Sequence, residues 1–168
     1  MKKFIVFFIL ILAGSHIATA QDLDGLMKEV AKNEKAQRQV VDKAMLGASM
    51  AQAQAQDPTG ELKSKMPSFM QKIDSIQVVT LEEDAPDTRN MVLDNLNSFR
   101  DDDIYSTLVR VKDGEDNVRI IAKKNGETVS DVYIFVMDED DIVLVKMSGR
   151  LEQSDLEDIV KEQAKNKK

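Results

Sequence analysis

The chain has no cysteine and no tryptophan, and its one histidine, His16, falls within the first twenty residues. Those twenty read as a secretory leader. Lys2-Lys3 precede an apolar run from Phe4 to Ala13, and the small residues of Ile17-Ala18-Thr19-Ala20 stand before Gln21, the expected cleavage point. After cleavage between Ala20 and Gln21 the chain lacks imidazole, thiol and indole altogether. Disulfides are then impossible, so in an oxidising compartment the fold rests on its hydrophobic core. Ser-His-Asp and Cys-His catalysis, ordinary zinc sites and thiolate redox chemistry are excluded with them. The leader's apolar run is too short to span a bilayer comfortably, and no cysteine near the cleavage point offers a lipid anchor.

Positive charge is also short: 23 Lys and Arg stand against 30 Asp and Glu, a net charge of −7. Loss of the leader removes Lys2 and Lys3 and no acid, which makes the balance −9. Nucleic acid and anionic lipid are poor partners for such a chain, because both demand clustered Lys and Arg. The basic run at Lys165-Asn-Lys-Lys168 reads as a solvated tail. The length of 168 residues, with 42% hydrophobic and 32% charged, is that of one globular domain. Its expected parts are an N-terminal helix over 21–35, a core over 36–163 and a tail over 164–168.

Against these absences stands one strong apolar feature. Val132 to Met137 are six apolar residues in succession, too short for a usual helix and rich in β-branched and aromatic side chains. Asp138-Glu-Asp-Asp141 closes the run, and Ile142 to Val145 resume it. This predicts a hairpin buried on both faces at the centre of the core. Six such side chains contribute on the order of 10 kcal/mol as an upper estimate.

Leu23, Leu26, Met27, Val30 and Ala31 recur at helical spacing, with Asp22 or Asp24 as the cap. Residues 36–41 suit either helix or strand. A second helix begins at Asp42 and ends before a turn at Asp57-Pro-Thr-Gly60. A short helical stripe runs from Leu62 to Ile73, bent by Pro67, and Ile76 to Leu81 is a strand. Asp87 caps a helix carrying Met91, Val92, Leu96 and Phe99, whose acidic end at Asp101-Asp-Asp103 is expected to fray. Strands follow over Tyr105 to Val111 and Asn117 to Lys124, with a hairpin turn at Asn125-Gly126, both at positive φ. Ser154 and Glu157 form a capping box for a last helix. The expected fold class is α+β: an antiparallel sheet with a C-terminal four-strand meander and helices mainly on one face.

Asp42-Lys-Ala-Met-Leu46, Ile73-Asp-Ser-Ile-Gln-Val-Val79, Tyr105 with Val111-Lys-Asp-Gly114, Val118-Arg-Ile-Ile-Ala-Lys123 and Ile142-Val-Leu-Val-Lys-Met-Ser-Gly149 with Leu151 together resemble domain of unknown function 4252. The resemblance covers roughly Ala36 to Val160. It implies a small exported bacterial envelope protein and a strand at Ala36 to Val41. It implies no activity, and a gene neighbourhood near extracytoplasmic sigma-factor regulators.

Several constellations carry chemistry on paper. Asp138-Glu-Asp-Asp141 fails as a calcium loop, because Ile142 and Val143 stand where an oxygen ligand and Gly are needed. It reads as a charged hairpin tip, and Asp101-Asp-Asp103 as a charged turn. A glycosidase pair has few aromatic rings to accompany it. Lys146 and Ser148 are two apart on one strand face, with nothing marking an oxyanion hole. Met45 with Met50, and Met66 with Met70, suit Cu(I), but also suit core filling. Asp74-Ser75-Ile76 matches a short envelope O-glycosylation pattern, and Ser75 also reads as the end of a helix.

The double-sided strand poses the sharper question. Tyr133, Phe135 and Met137 form a candidate apolar face, to be covered by the N-terminal helix, by a second copy or partner, or by an apolar ligand. The expectation is an exported, non-catalytic protein of the periplasm or cell envelope. It needs no cofactor or metal and acts by contact with an unknown envelope protein or by self-association, in envelope stress or signalling. The alternative is a carrier for a hydrophobic ligand.

Overall fold

A computed structural model describes residues 21–57, 59–60, 66–82 and 85–165. The expected leader (1–20), the start of the stripe at Leu62 and the last residues of the tail lie outside them.

Helix α1 spans Leu23–Val30, and its cap is Asp22, whose carboxylate accepts from Gly25 N at 2.7 Å. Strand β1 (Gln37–Asp42) settles the ambiguous segment as strand. Asp42 ends β1 and caps α2 (Lys43–Ala55), accepting from Met45 N at 2.9 Å. The Asp57 turn closes with Gly60 at φ 71° and the Thr59 hydroxyl on Asp57.

Among the described residues the expected stripe is reduced to a 3-10 turn, Ser68–Lys72. Ile73 belongs instead to β2 (Ile73–Leu81), which therefore starts earlier than periodicity suggests. Helix α3 (Pro86–Ser98) places Pro86, not Asp87, at its first position. The fixed φ of proline suits that place, and Asp87 falls in the first turn, where the dipole favours it. Phe99 is extended just after the helix, yet only 3% exposed.

Four strands follow: β3 (Tyr105–Asp113), β4 (Asp116–Asn125), β5 (Thr128–Met137) and β6 (Ile142–Leu151). The β4–β5 turn falls one residue later than expected. Asn125 pairs with Thr128, and Gly126 alone takes positive φ, 64°. Glycine at the first of two central positions is the pattern of a II′ turn. Helix α4 (Gln153–Lys165) follows β6. The Ser154–Glu157 box is replaced by Asp155, which reaches back to Glu152 N at 2.7 Å.

The six strands form one antiparallel sheet in the order β1-β2-β6-β5-β4-β3. The α+β class and the C-terminal meander are as expected. The helices, expected mainly on one face, divide between both. α1 and α3 cover the first face, over Val79, Leu81, Ile121, Tyr133, Phe135 and Leu144. The 3-10 turn and α4 cover the second, where Phe69, Leu156 and Ile159 pack on Ile120, Ile134 and Met147. A strand apolar on both sides needs an apolar layer on each.

Candidate functional site

Tyr133, Phe135 and Met137 are 0%, 1% and 1% exposed, packed beneath Leu23, Leu26, Met27 and Val30 of α1. The chain therefore covers its own candidate face, the first of the three coverings weighed. Four buried side chains from one short helix stabilise the contact by on the order of 6 kcal/mol as an upper estimate.

A polar network closes the margin of that cover. Lys146 Nζ donates to Asp24 Oδ1 at 2.7 Å and lies 3.3 Å from Asp131 Oδ1. Tyr133 donates its hydroxyl to Asp24 at 3.2 Å, and Lys146 stands 5.4 Å from the Tyr133 ring centroid. Ser148 and Ser130 donate to the two Asp131 oxygens at 2.7 and 2.8 Å. Burial opposes the charge on Lys146, but Asp24 and Asp131 outweigh it and hold the ammonium above the ordinary lysine range. Burial likewise opposes ionisation of Asp131, and the Ser148 and Ser130 hydroxyls with Lys146 reverse it, leaving the carboxyl below its usual range. Burial, with Asp24 next, pushes the Tyr133 phenol far up. Lys146 and Ser148 do share a strand face, but each is committed to a carboxylate rather than to the other. This network positions α1 on the sheet.

The other constellations resolve into structure. Asp138 Oδ1 accepts from the backbone N–H groups of Asp140 and Asp141 at the hairpin tip. Asp102 Oδ1 accepts from Ile104 N and Tyr105 N, and these bonds, that from Tyr105 foremost, hold its carboxyl below the usual range. Among the described residues no group of three His, Cys, Asp or Glu side chains is placed to hold a metal ion. Met70 packs on the second-face core, whereas Met45 stands 51% exposed on α2. Ser75 lies within β2, paired with Asp42 and Ser148, and does not end a helix.

Among the described residues, clefts are lined by other side chains. One, of about 440 Å³, lies between Lys32–Lys35 and Ala85–Thr88. Another, of about 300 Å³, lies beside α4 at Leu108, Leu156 and Val160. A third, of about 390 Å³, is lined by Arg100, Arg110 and Arg119. Arg119 donates to the Leu96 carbonyl, and Arg100 Nη1 to those of Asn97 and Phe99 at 2.6 and 2.8 Å. The α3 C-terminus, expected to fray beside three aspartates, is thus satisfied by two guanidiniums.

The open part of the fold is the β1–α2 corner. Every β1 residue except Val41 is exposed, α2 has no buried residue, and Val40 and Met45 are 46% and 51% exposed. β1 pairs with β2 in unbroken register, which leaves an even outer edge. The opposite edge, β3, carries a register shift between Thr107 and Val109, a bulge that blunts an edge against pairing. Periodicity gave no warning of this corner, because a strand without a buried face shows no alternation. Among the described residues no helix is long and apolar enough to cross a membrane.

No curated protein and no solved structure matches the chain. A family model, Domain of unknown function (DUF4252), matches residues 31–159, which takes in every strand and leaves α1 outside. The chain belongs to the DUF4252 family.

Proposed function

We propose that this protein is exported to the periplasm or cell envelope and works without catalysis, by binding an extended segment of another envelope protein along β1. The observation that carries the reading is the β1–α2 corner: a regular, exposed edge strand followed by a helix with no buried residue. Such an edge offers unpaired N–H and C=O groups, and an added strand gains main-chain hydrogen bonds there. The filled space beneath α1 favours this reading over a hydrophobic-ligand carrier. The leader-like residues 1–20 support export, and the absence of His, Cys and Trp from the rest supports a non-catalytic role, in keeping with envelope stress or signalling.

Photoreactive side chains placed singly at Val40, Met45 and Val111 test the site in living cells. Val40 and Met45 are expected to give one adduct of the same mass, and Val111, equally apolar and 42% exposed on β3, none. An adduct of twice the chain's mass identifies the occupant as a second copy. Equal labelling from all three positions, or none from Val40 and Met45, rejects the β1–α2 corner as the working surface.

A further inference from the structure

Arg110 on β3 and Arg119 on β4 are direct cross-strand partners, so their side chains leave the sheet on one face. Like charges directly opposite each other destabilise an antiparallel pair. Arg119 is also buried, 3% exposed, and among the described residues its Nε has no hydrogen-bond partner. None of the described ion pairs involves Arg100, Arg110 or Arg119. The contacts that Arg119 makes are neutral: the Leu96 carbonyl, and the Phe99 ring at 5.3 Å from its centroid. A guanidinium buried without an anion is costly, because neither contact replaces the solvation of a full charge.

All three arginines line the same cleft of about 390 Å³, and the acid among its lining residues is Asp101. That carboxylate accepts the Thr107 hydroxyl at 2.6 Å, and the Thr107 bond, with Lys124 and Arg110 nearby, keeps it ionised below its usual range. One negative charge thus faces three positive ones, in a chain whose net charge is −7. The excess is local to this cleft and runs against the charge of the whole molecule.

The geometry points to an oxyanion site here: the carboxylate or phosphate group of a small molecule, held between Arg110 and Arg119 with Arg100 at the rim. Planar guanidiniums match both groups with paired, charge-assisted hydrogen bonds. The cleft volume lies within the roughly 300–1,000 Å³ usual for small-molecule sites. A bound oxyanion removes the Arg110–Arg119 repulsion, so binding and folding stability are linked. The site lies toward the β3 edge, away from β1, and stands independently of the protein-binding reading.

The test is an NMR titration of the purified protein with inorganic phosphate in one arm and succinate in the other, with sodium chloride at matched ionic strength as the control. Saturable shifts are expected in the amides of Asn97 to Asp101 and Thr107 to Arg110 for at least one oxyanion. The melting temperature is expected to rise with that oxyanion and not with chloride. The responding arm distinguishes phosphate from carboxylate. Arg110→Gln removes an exposed side chain, so the core is retained. It is expected to weaken binding about tenfold or more and to raise the ligand-free melting temperature. No saturable response in either arm, or one that Arg110→Gln leaves unchanged, overturns the site.

Discussion

Lys146 Nζ stands 2.7 Å from Asp24 Oδ1, joining β6 to the N-terminal helix across 122 residues of chain. The ammonium also faces Asp131, so one lysine serves two carboxylates, and only 19% of its side chain is exposed. Lys146→Met is expected to cost about 1–3 kcal/mol, because it leaves Asp131 without its cation. A double-mutant cycle with Asp24→Asn, read by denaturant unfolding, is expected to return a coupling of about 0.5–1.5 kcal/mol.

Gly149 pairs with Ile73 where β2 meets β6. A Cβ there would overlap the carbonyl oxygen of Lys72 and come within 3.1 Å of Ile73 Cα. Both obstacles are backbone and cannot swing aside. Gly149→Ala is expected to destabilise by about 1–3 kcal/mol, the usual penalty of overpacking, seen as a lower denaturation midpoint.

Acid should unfold the protein through Asp131 and Asp155. Burial alone would raise both carboxyls, but hydrogen bonds from Ser148 and Ser130 in one case, and from Lys72 and Glu152 N–H in the other, bring them below the usual range. The unfolded chain therefore takes up protons first as pH falls. The stability these groups contribute is complete above the ordinary aspartate value of about 3.9 and is lost as pH falls through the lower folded values. Lys146 acts in the opposite sense: its raised value makes its contribution complete below the ordinary lysine value of about 10.4 and lost above it. Melting temperature against pH checks both limbs, and Asp131→Asn with Asp155→Asn is expected to flatten the acid one.

Met27, 1% exposed, packs in the core over Tyr133 and Phe135. Met27→Ala is expected to cost about 2–5 kcal/mol, and to increase binding of a dye specific for exposed apolar surface, if α1 is the cover of this face. Unchanged stability and dye binding would show that the face is closed in some other way.

The hairpin β5–β6 was legible because an apolar run of six residues, closed by four acids, has no helical alternative. Residues 36–41 were not, because β1 buries almost nothing and burial is what gives a strand its period. The start of α3 lies earlier than an Asp87 cap implies, because the fixed φ of Pro86 already suits the first helical position. Arg119 was hidden for a different reason. On its side of β4 the neighbours are Asn117, Ile121 and Lys123, so that side reads as largely solvated, yet it lies against the end of α3, and only the register reveals Arg110 opposite. The Lys146 network joins the β5–β6 hairpin to Asp24 of α1, more than a hundred residues away, which spacing cannot bring together.

Native mass spectrometry of the protein purified from the cells that make it tests the central claim most directly. The expected result is a chain beginning at Gln21, carrying no apolar small molecule and associated with a protein chain that is lost on Val40→Glu. A stoichiometric lipid or other hydrophobic ligand on the wild-type protein, retained in the Val40→Glu variant, would contradict it.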